Sequence, residues 1–303
     1  MSRRSVASLL LTRAVAAAQE TFRVESTLIL VRFSAMRGRE FVTDLTAGDI
    51  LLSEDRQAQK IALFEGPLSA WQERVSVDFH LLVDISGTMD PYLALTSDLL
   101  RQTLLHHRPQ QTKVSIHAFA YHYAKLAGPT NTPAEIERAI RQLQTADLGQ
   151  RRRSASGIYD AILELASGIV GNQFTRSVLI VLSDGLDTGK HTGKDASKAA
   201  KEKQLVVYPV MVVPKHEWQS EDAMKEFTEL GPATGGRALW PPAMTREALA
   251  RILEHVVNQV AAEYTVGYYP GPGSGRPRSR NVKVSLRKQE GVAISGGVRT
   301  VMY

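Results

Sequence analysis

Asp84, Ser86 and Thr88 stand at alternate positions directly after an apolar run containing Val77, Phe79, Leu81, Leu82 and Val83. In extended backbone, residues two apart project to the same side. One carboxylate and two hydroxyls can therefore converge on a point, with Gly87 easing the turn. An all-oxygen set of this kind suits a hard divalent cation. The apolar run itself is consistent with a strand covered on both faces, as in a parallel sheet between helices, which puts the chemistry at the strand's carboxyl end.

Two further segments carry matching residue types. Ser177–Leu182 reads as a second buried strand, and Ser183-Asp184-Gly185 follows at its carboxyl end. In an open parallel α/β sheet, ligands collect outside the carboxyl ends of the strands, so Asp84 and Asp184 are expected as neighbours despite their distance in sequence. The stretch Ser154-Ala155-Ser156-Gly157-Ile158-Tyr159-Asp160-Ala161-Ile162 places the Ser156 hydroxyl at the start of a helix.

The elements that must position these groups follow from the rest of the chain. From Val75 to about Tyr264, strand and helix patterns alternate, which predicts an α/β fold: a doubly wound, mostly parallel sheet with helices on both faces. Strands are expected at Val77–Ile85, Val114–Ala120, Ser177–Leu182 and Val206–Val213. Helices are expected at Tyr92–His107, Pro133–Leu143, Gly157–Ile169 and Arg246–Ala262, the last marked by the stripe Leu249, Ile252, Leu253, Val256, Val257 and Val260. Residues 21–70 form a β-rich segment, with a strand from Thr27 to Phe33 and a hairpin joining Ile50-Leu51-Leu52 to Gln59–Phe64. Gly66-Pro67-Leu68-Ser69 reads as a hinge. Residues 265–303 alternate Val282, Val284 and Leu286 with polar residues beyond a Pro- and Gly-rich linker. A lone hairpin is marginal in water, so these tail strands are expected to join the N-terminal β segment.

Composition sets outer bounds. With 43% hydrophobic and 22% charged residues over 303 positions, the chain can build a large domain plus a smaller one and is not disordered as a whole. A net charge of +6 is modest for this length and does not make a nucleic-acid platform. The absence of cysteine removes disulfides, thiolate metal sites and a cysteine nucleophile together. No apolar run is long enough to span a membrane. Residues 1–20 read as a candidate export leader: Arg3 and Arg4 precede Val6–Leu11, and small residues follow at Ala14–Ala18. Arg13 interrupts the apolar run, and a short N-terminal helix is the competing reading. An extracytoplasmic location is the resulting expectation.

Several independent stretches together resemble a von Willebrand factor type A (VWA) domain with a metal-ion-dependent adhesion site (MIDAS). The family's first motif, Asp-x-Ser-x-Ser, matches Asp84, Ser86 and, with the hydroxyl kept, Thr88. Its second-loop threonine matches Ser156, in a stretch that usually reads Thr-Ala-Leu-Tyr-Asp-Ala. Its third-loop aspartate matches Asp184. Ala233-Thr234-Gly235-Gly236-Arg237-Ala238 resembles a recurrent late turn. The flanks Phe41–Phe64 and Tyr264–Pro270 resemble parts of secreted, type-A-related proteins of acidobacteria. The resemblance implies that Ser86, Thr88 and Ser156 touch a magnesium-like ion directly, Mg2+ first with Mn2+ or Ca2+ as alternatives, while Asp84 and Asp184 act mainly through ordered waters. It further implies that an Asp or Glu of a protein partner completes the ion's sphere, which makes the chain a binding or adhesion module and not an enzyme.

The residue chemistry separates the rival readings. A haloacid-dehalogenase-like, Mg2+-dependent phosphohydrolase also places an aspartate at its first strand tip, but needs Asp-x-Asp, where the second acid protonates the leaving group. Ser86 stands there, and a serine hydroxyl is no such acid at neutral pH. A structural VWA scaffold with a vestigial metal site is opposed by the retention of all five oxygen-bearing residues. His216-Glu217-Trp218-Gln219-Ser220 lacks the second histidine of a zinc-protease helix. Arg151, Arg152 and Arg153 precede the second loop and can steer an acidic ligand; a solvated basic turn is the simpler reading.

Overall fold

The computed structural model describes residues 28–67, 76–106, 112–148, 156–170, 175–213, 220–241, 245–271, 278–287 and 290–302. The leader at 1–20, the arginines at 151–153, most of the 216–220 motif, part of the 66–69 hinge and the linker at 272–277 lie outside the described residues.

In chain order, the elements begin with β1 (Ile29–Arg37), β2 (Glu40–Phe41), β3 (Ile50–Glu54), β4 (Gln57–Gln59) and β5 (Leu63–Glu65). Then follow β6 (Ser76–Asp84), α1 (Asp90–His106), β7 (Thr112–Phe119), β8 (Tyr123–Thr130), α2 (Pro133–Thr145), α3 (Ile158–Ser167), β9 (Thr175–Ser183), α4 (Gly193–Glu202), β10 (Val206–Met211), α5 (Glu221–Thr234) and α6 (Arg246–Ala261). The chain closes with β11 (Tyr264–Tyr268), β12 (Ser279–Leu286), β13 (Val292–Gly296) and β14 (Val298–Met302).

The central sheet has the order β10-β9-β6-β7-β8. Four of its strands are parallel, and β8 pairs antiparallel with β7 at one edge. Strand β6 lies in the middle, paired on both sides, and its residues Phe79, Leu81, Leu82 and Val83 are buried irrespective of which face they point to. That explains the uninterrupted Leu81-Leu82-Val83: a strand covered by helices on both faces has no solvent side on which to alternate. The helices close over it with Leu93, Leu99 and Leu100 from α1, Ile136 and Ile140 from α2, Ile158 and Ile162 from α3, and Phe227 from α5. The protein is thus a mixed α/β fold with a helix-flanked, mostly parallel sheet.

The remaining strands make two antiparallel sheets, β13-β1-β11-β5 with β2 on β1, and β14-β12-β3-β4. They share a second core, with Val31, Phe33 and Ala35 of β1 and Tyr264, Val266 and Tyr268 of β11 facing Ile50 and Leu52 of β3 and Val282 and Val284 of β12. Phe33 stacks on Tyr264 at 5.1 Å between ring centroids. The expected Gln59–Phe64 hairpin partner is divided between the sheets. Gln57–Gln59 pairs with β3, while Leu63–Glu65 crosses over to pair with β11. The crossing is fixed by Ala62 N–H, which donates to Gly267 O at 2.8 Å.

Candidate metal centre

Strand β6 ends at Asp84, which is fully buried. Beyond it, Ile85 N–H still bonds to Phe119 O on β7 at 2.8 Å, and Ser86 is extended (φ −62°, ψ 164°) before Gly87–Met89 make a single tight turn into α1. That local path keeps Asp84, Ser86 and Thr88 on one side. The Ser86 amide donates to Asp84 Oδ1 at 2.9 Å, and Ser86 Oγ lies 3.1 Å from Thr88 Oγ1.

The second loop is brought in by backbone bonding. Gly157 N–H donates to Ala120 O at 2.9 Å, just past the end of β7, and α3 begins at the next residue. The Ser156 hydroxyl thereby reaches Asp84 Oδ2 at 3.1 Å. Thr188 clamps the other side of Ser156: its hydroxyl accepts from Ser156 N–H at 2.9 Å and donates to Ser156 O at 3.0 Å. Asp187 and Asp160 pin the same loop pair. Asp187 accepts from the amides of Tyr159 and Gly189, and Asp160 from those of Lys190 and His191 and from His191 Nδ1 at 2.6 Å.

The third loop follows β9. Asp184 Oδ1 caps its own turn by accepting from Leu186 N–H at 3.0 Å. Gly185 takes φ +82°, a backbone conformation that calls for glycine. Ser183 is a site residue the sequence reading passed over. Its hydroxyl donates to Asp84 Oδ2 at 2.7 Å and accepts from Gly185 N–H at 3.0 Å. The cause is register: Val83 pairs with Leu182, so the next residues, Asp84 and Ser183, stand side by side. Thr188 carried no local signal, because its partner Ser156 lies in another loop.

All five residues expected at the site are therefore at the carboxyl end of the central sheet. Asp84, Ser86, Thr88 and Ser156 are joined by the bonds above, and Asp184 stands near enough for its charge to act on Asp84. Burial, and secondly the Asp184 charge, push the Asp84 carboxyl up to about 6, while the Ser86 amide and the Ser183 and Ser86 hydroxyls pull it down. Ionising Asp84 within the fold at neutral pH thus costs roughly 3 kcal/mol. Among the described residues, no lysine, arginine or histidine bonds to either carboxylate. Nor does any group of three or more His, Cys, Asp or Glu among them meet in ion-holding geometry. The centre consists of hydroxyls with two acids.

That donor set fits a small hard cation. Adjacent vertices of an octahedron with bonds of about 2.0–2.1 Å lie about 2.9 Å apart. The Ser86–Thr88 oxygen separation, 3.1 Å, is close to that edge. A cation would also cancel the like-charge repulsion between Asp84 and Asp184.

Residues 66–214 match the family model described as VWA domain containing CoxE-like protein. The match includes every residue of the centre but not the flanking segments on which the narrower resemblance to secreted acidobacterial proteins rests. No curated protein matches the sequence. Among solved structures, BatB of Bacteroides thetaiotaomicron aligns over 61% of this chain and 99% of its own, at 15% identity and a TM-score of 0.47. An aerotolerance-related membrane protein of Bacteroides fragilis aligns over 60% of this chain and 99% of its own, at 14% identity and a TM-score of 0.47. Proximal thread matrix protein 1 of the mussel byssus, solved with zinc in its MIDAS motif, aligns at 16% identity with a TM-score of 0.48. That alignment covers 65% of this chain and 48% of the mussel protein, so this chain spans about half the length of that relative.

Proposed function

From the premise that this is a VWA-domain protein, with the domain matched over residues 66–214, we propose that the Asp84 centre holds a divalent cation, Mg2+ first, and that the module binds an acidic group of a protein partner through it. The observation that carries this reading is Asp84 itself: a fully buried carboxylate that gathers donors from three separate segments, feels the charge of Asp184 and is bonded to no basic side chain among the described residues.

Each residue has a separable task. Ser86, Thr88 and Ser156 present neutral hydroxyl oxygens, Asp84 and Asp184 supply the charge that retains the ion, and Ser183 and Thr188 hold Asp84 and Ser156 in place. A bound cation supplies attraction for an incoming carboxylate. With three of the inner oxygens neutral, the protein leaves most of the positive charge for that partner. Among the described residues, no helix is long and apolar enough to cross a membrane. An extracytoplasmic setting belongs to the same proposal, since recognition of a partner's Asp or Glu needs no chemistry from the cytosol.

The test uses the full chain loaded with Mn2+ and two short peptides that differ only in Asp against Asn. Entry of a carboxylate displaces metal-bound water, which lowers the water-proton relaxation enhancement. The Asp peptide is expected to lower it saturably and the Asn peptide to leave it unchanged. Equal responses would overturn recognition of the carboxylate. Magnesium-dependent hydrolysis of a generic phosphomonoester, abolished by Asp84→Asn, would instead favour a phosphohydrolase.

A further inference from the structure

The outer side of α4 carries a row of lysines that leads away from the metal centre. Strand β9 ends at that centre, and α4 connects it to the parallel strand β10, so the helix starts at the metal end of the sheet and runs back toward the other. It packs between α3 and α5 and buries Gly193, Ala196, Ser197 and Ala200. Lys194, Lys198 and Lys201 are exposed. By helix geometry they fall within about 60° of arc, spaced by about 6 and 4.5 Å along the axis.

Lys190 heads the row. Its amide donates to the Asp160 carboxylate, at 3.2 and 3.1 Å from the two oxygens, and Asp160 lies in the first turn of α3, just beyond Ser156. Lys190 is thereby held at the rim of the metal centre, and it too is exposed. Among the described residues, none of the four lysines is in an ion pair. The acids on α4 do not answer them. Asp195 accepts from the Thr192 amide and hydroxyl as part of the helix cap, and Glu202, one turn on from Lys198, forms no ion pair with it. Like charges three and four residues apart destabilise a helix, so the row opposes the element that carries it.

We propose that this row is the second half of the partner-binding surface, and that the partner is a protein segment with a run of acidic residues: one carboxylate on the cation and the next ones on Lys190, Lys194, Lys198 and Lys201. Such a partner presupposes the carboxylate recognition proposed above and extends it beyond the first acid. Charge complementarity supports it, since the cation and the lysines beside it select for the same sign of ligand. Spacing supports it as well. Alternate residues of an extended segment are about 6.8 Å apart and project to one side, close to the Lys194–Lys198 step. Lysines are flexible point charges, so they reward acidic density while the ion supplies the single fixed point.

The experiment measures the fluorescence anisotropy of labelled peptides on the full chain loaded with Mn2+, at low and at high sodium chloride. One peptide carries a single Asp among neutral residues; two others add three Glu at alternate positions on its amino or its carboxyl side. The expected result is that one Glu peptide binds about tenfold more tightly than the single-Asp peptide at low salt, the sum of three exposed ion pairs, and loses the gain at high salt. The triple variant Lys194→Gln, Lys198→Gln, Lys201→Gln should lose the gain and keep its affinity for the single-Asp peptide and for Mn2+. Its Tm should stay or rise, since repulsion within α4 is relieved. Equal or undetectable binding of all three peptides, or a gain that survives in the triple variant, would overturn the proposal. A Glu peptide that binds through the lysines equally in EDTA, with the single-Asp peptide silent, would retain the acidic partner and overturn only recognition by the ion. Lysine-dependent capture by phosphatidylserine vesicles, tighter than that of the Glu peptides, would overturn a protein segment as the occupant.

Discussion

Ser156 Oγ lies 3.1 Å from Asp84 Oδ2 although 72 positions separate them in sequence. The contact exists because β6 ends in the middle of the sheet and the loop before α3 is stitched to the end of β7 by the Gly157–Ala120 backbone bond. It sets the terms for the predictions that follow.

Asp84→Asn should separate function from stability. The amide keeps the shape, and the Ser156 and Ser183 hydroxyls can turn to accept from it. The raised folded-state pKa of Asp84 means its contribution to stability is full below its usual 3.8 and is lost as pH rises through about 6. In EDTA at pH 8 the variant is expected to be more stable than wild type by roughly 1–3 kcal/mol. Urea unfolding checks this, and the same variant should show no response to Mg2+.

Thr188→Val should test positioning without touching any of the five oxygen-bearing residues. It removes the two side-chain hydrogen bonds to the Ser156 backbone, leaves the Thr188 N–H to Ser156 O bond at 2.6 Å, and keeps the side chain's volume. Stability is expected to fall by about 1–2 kcal/mol and cation affinity by about tenfold. Thr188→Ser, which restores the hydroxyl, should recover most of the affinity.

Much of this arrangement was legible in the sequence, and the gaps have physical causes. The fold class follows from apolar runs such as Leu81–Val83 and Val178–Leu182, in which successive residues on both faces of the strand are apolar, as a sheet covered on both faces needs. Helix α4 escaped notice because its core face is made of Ala196, Ser197 and Ala200, too small to register as an apolar stripe. Helix α5 carries Gly231 and Pro232 in its last turn, residues that normally mark an end. Edge strand β8 is half-exposed and bulged against β7, so its alternation is blurred. Asp84 and Asp184 stood out because an acid beside a buried strand needs a reason. Ser183 and Thr188 act through partners that only the folded chain brings near.

Acidification should unfold the central sheet through a buried imidazole pair. His80 Nδ1 is 3.3 Å from His117 Nε2, and His117 Nδ1 is 2.7 Å from the Tyr123 hydroxyl. Burial, and then Lys125, lower His80 to about 4; burial, and then His80 and Lys125, lower His117 to about 3. A depressed histidine contributes stability that is full above the unfolded value of 6.5 and is lost as pH falls toward the folded one. By pH 5 the His80 share of that loss is about 2 kcal/mol. His80→Gln should flatten the fall between pH 6.5 and 5. The difference between the two proteins isolates the imidazole from Asp84, whose raised pKa acts with the opposite sign.

Glu263→Gln should be costly for a single conservative change. It leaves the buried Arg176 guanidinium without its bidentate partner, a loss of about 3–5 kcal/mol for pairs of this kind. Denaturant unfolding in low-phosphate buffer measures it. A cost under 1 kcal/mol would mean that Arg176 finds another partner or reaches water.

The central claim is that the Asp84 centre is a cation site, and calorimetric titration of the EDTA-stripped full chain with MgCl2 or MnCl2 tests it most directly. Wild type is predicted to give a saturable heat with one ion per chain, and Asp84→Ala, in a protein shown to be folded, none. Identical heats from both proteins would contradict the account.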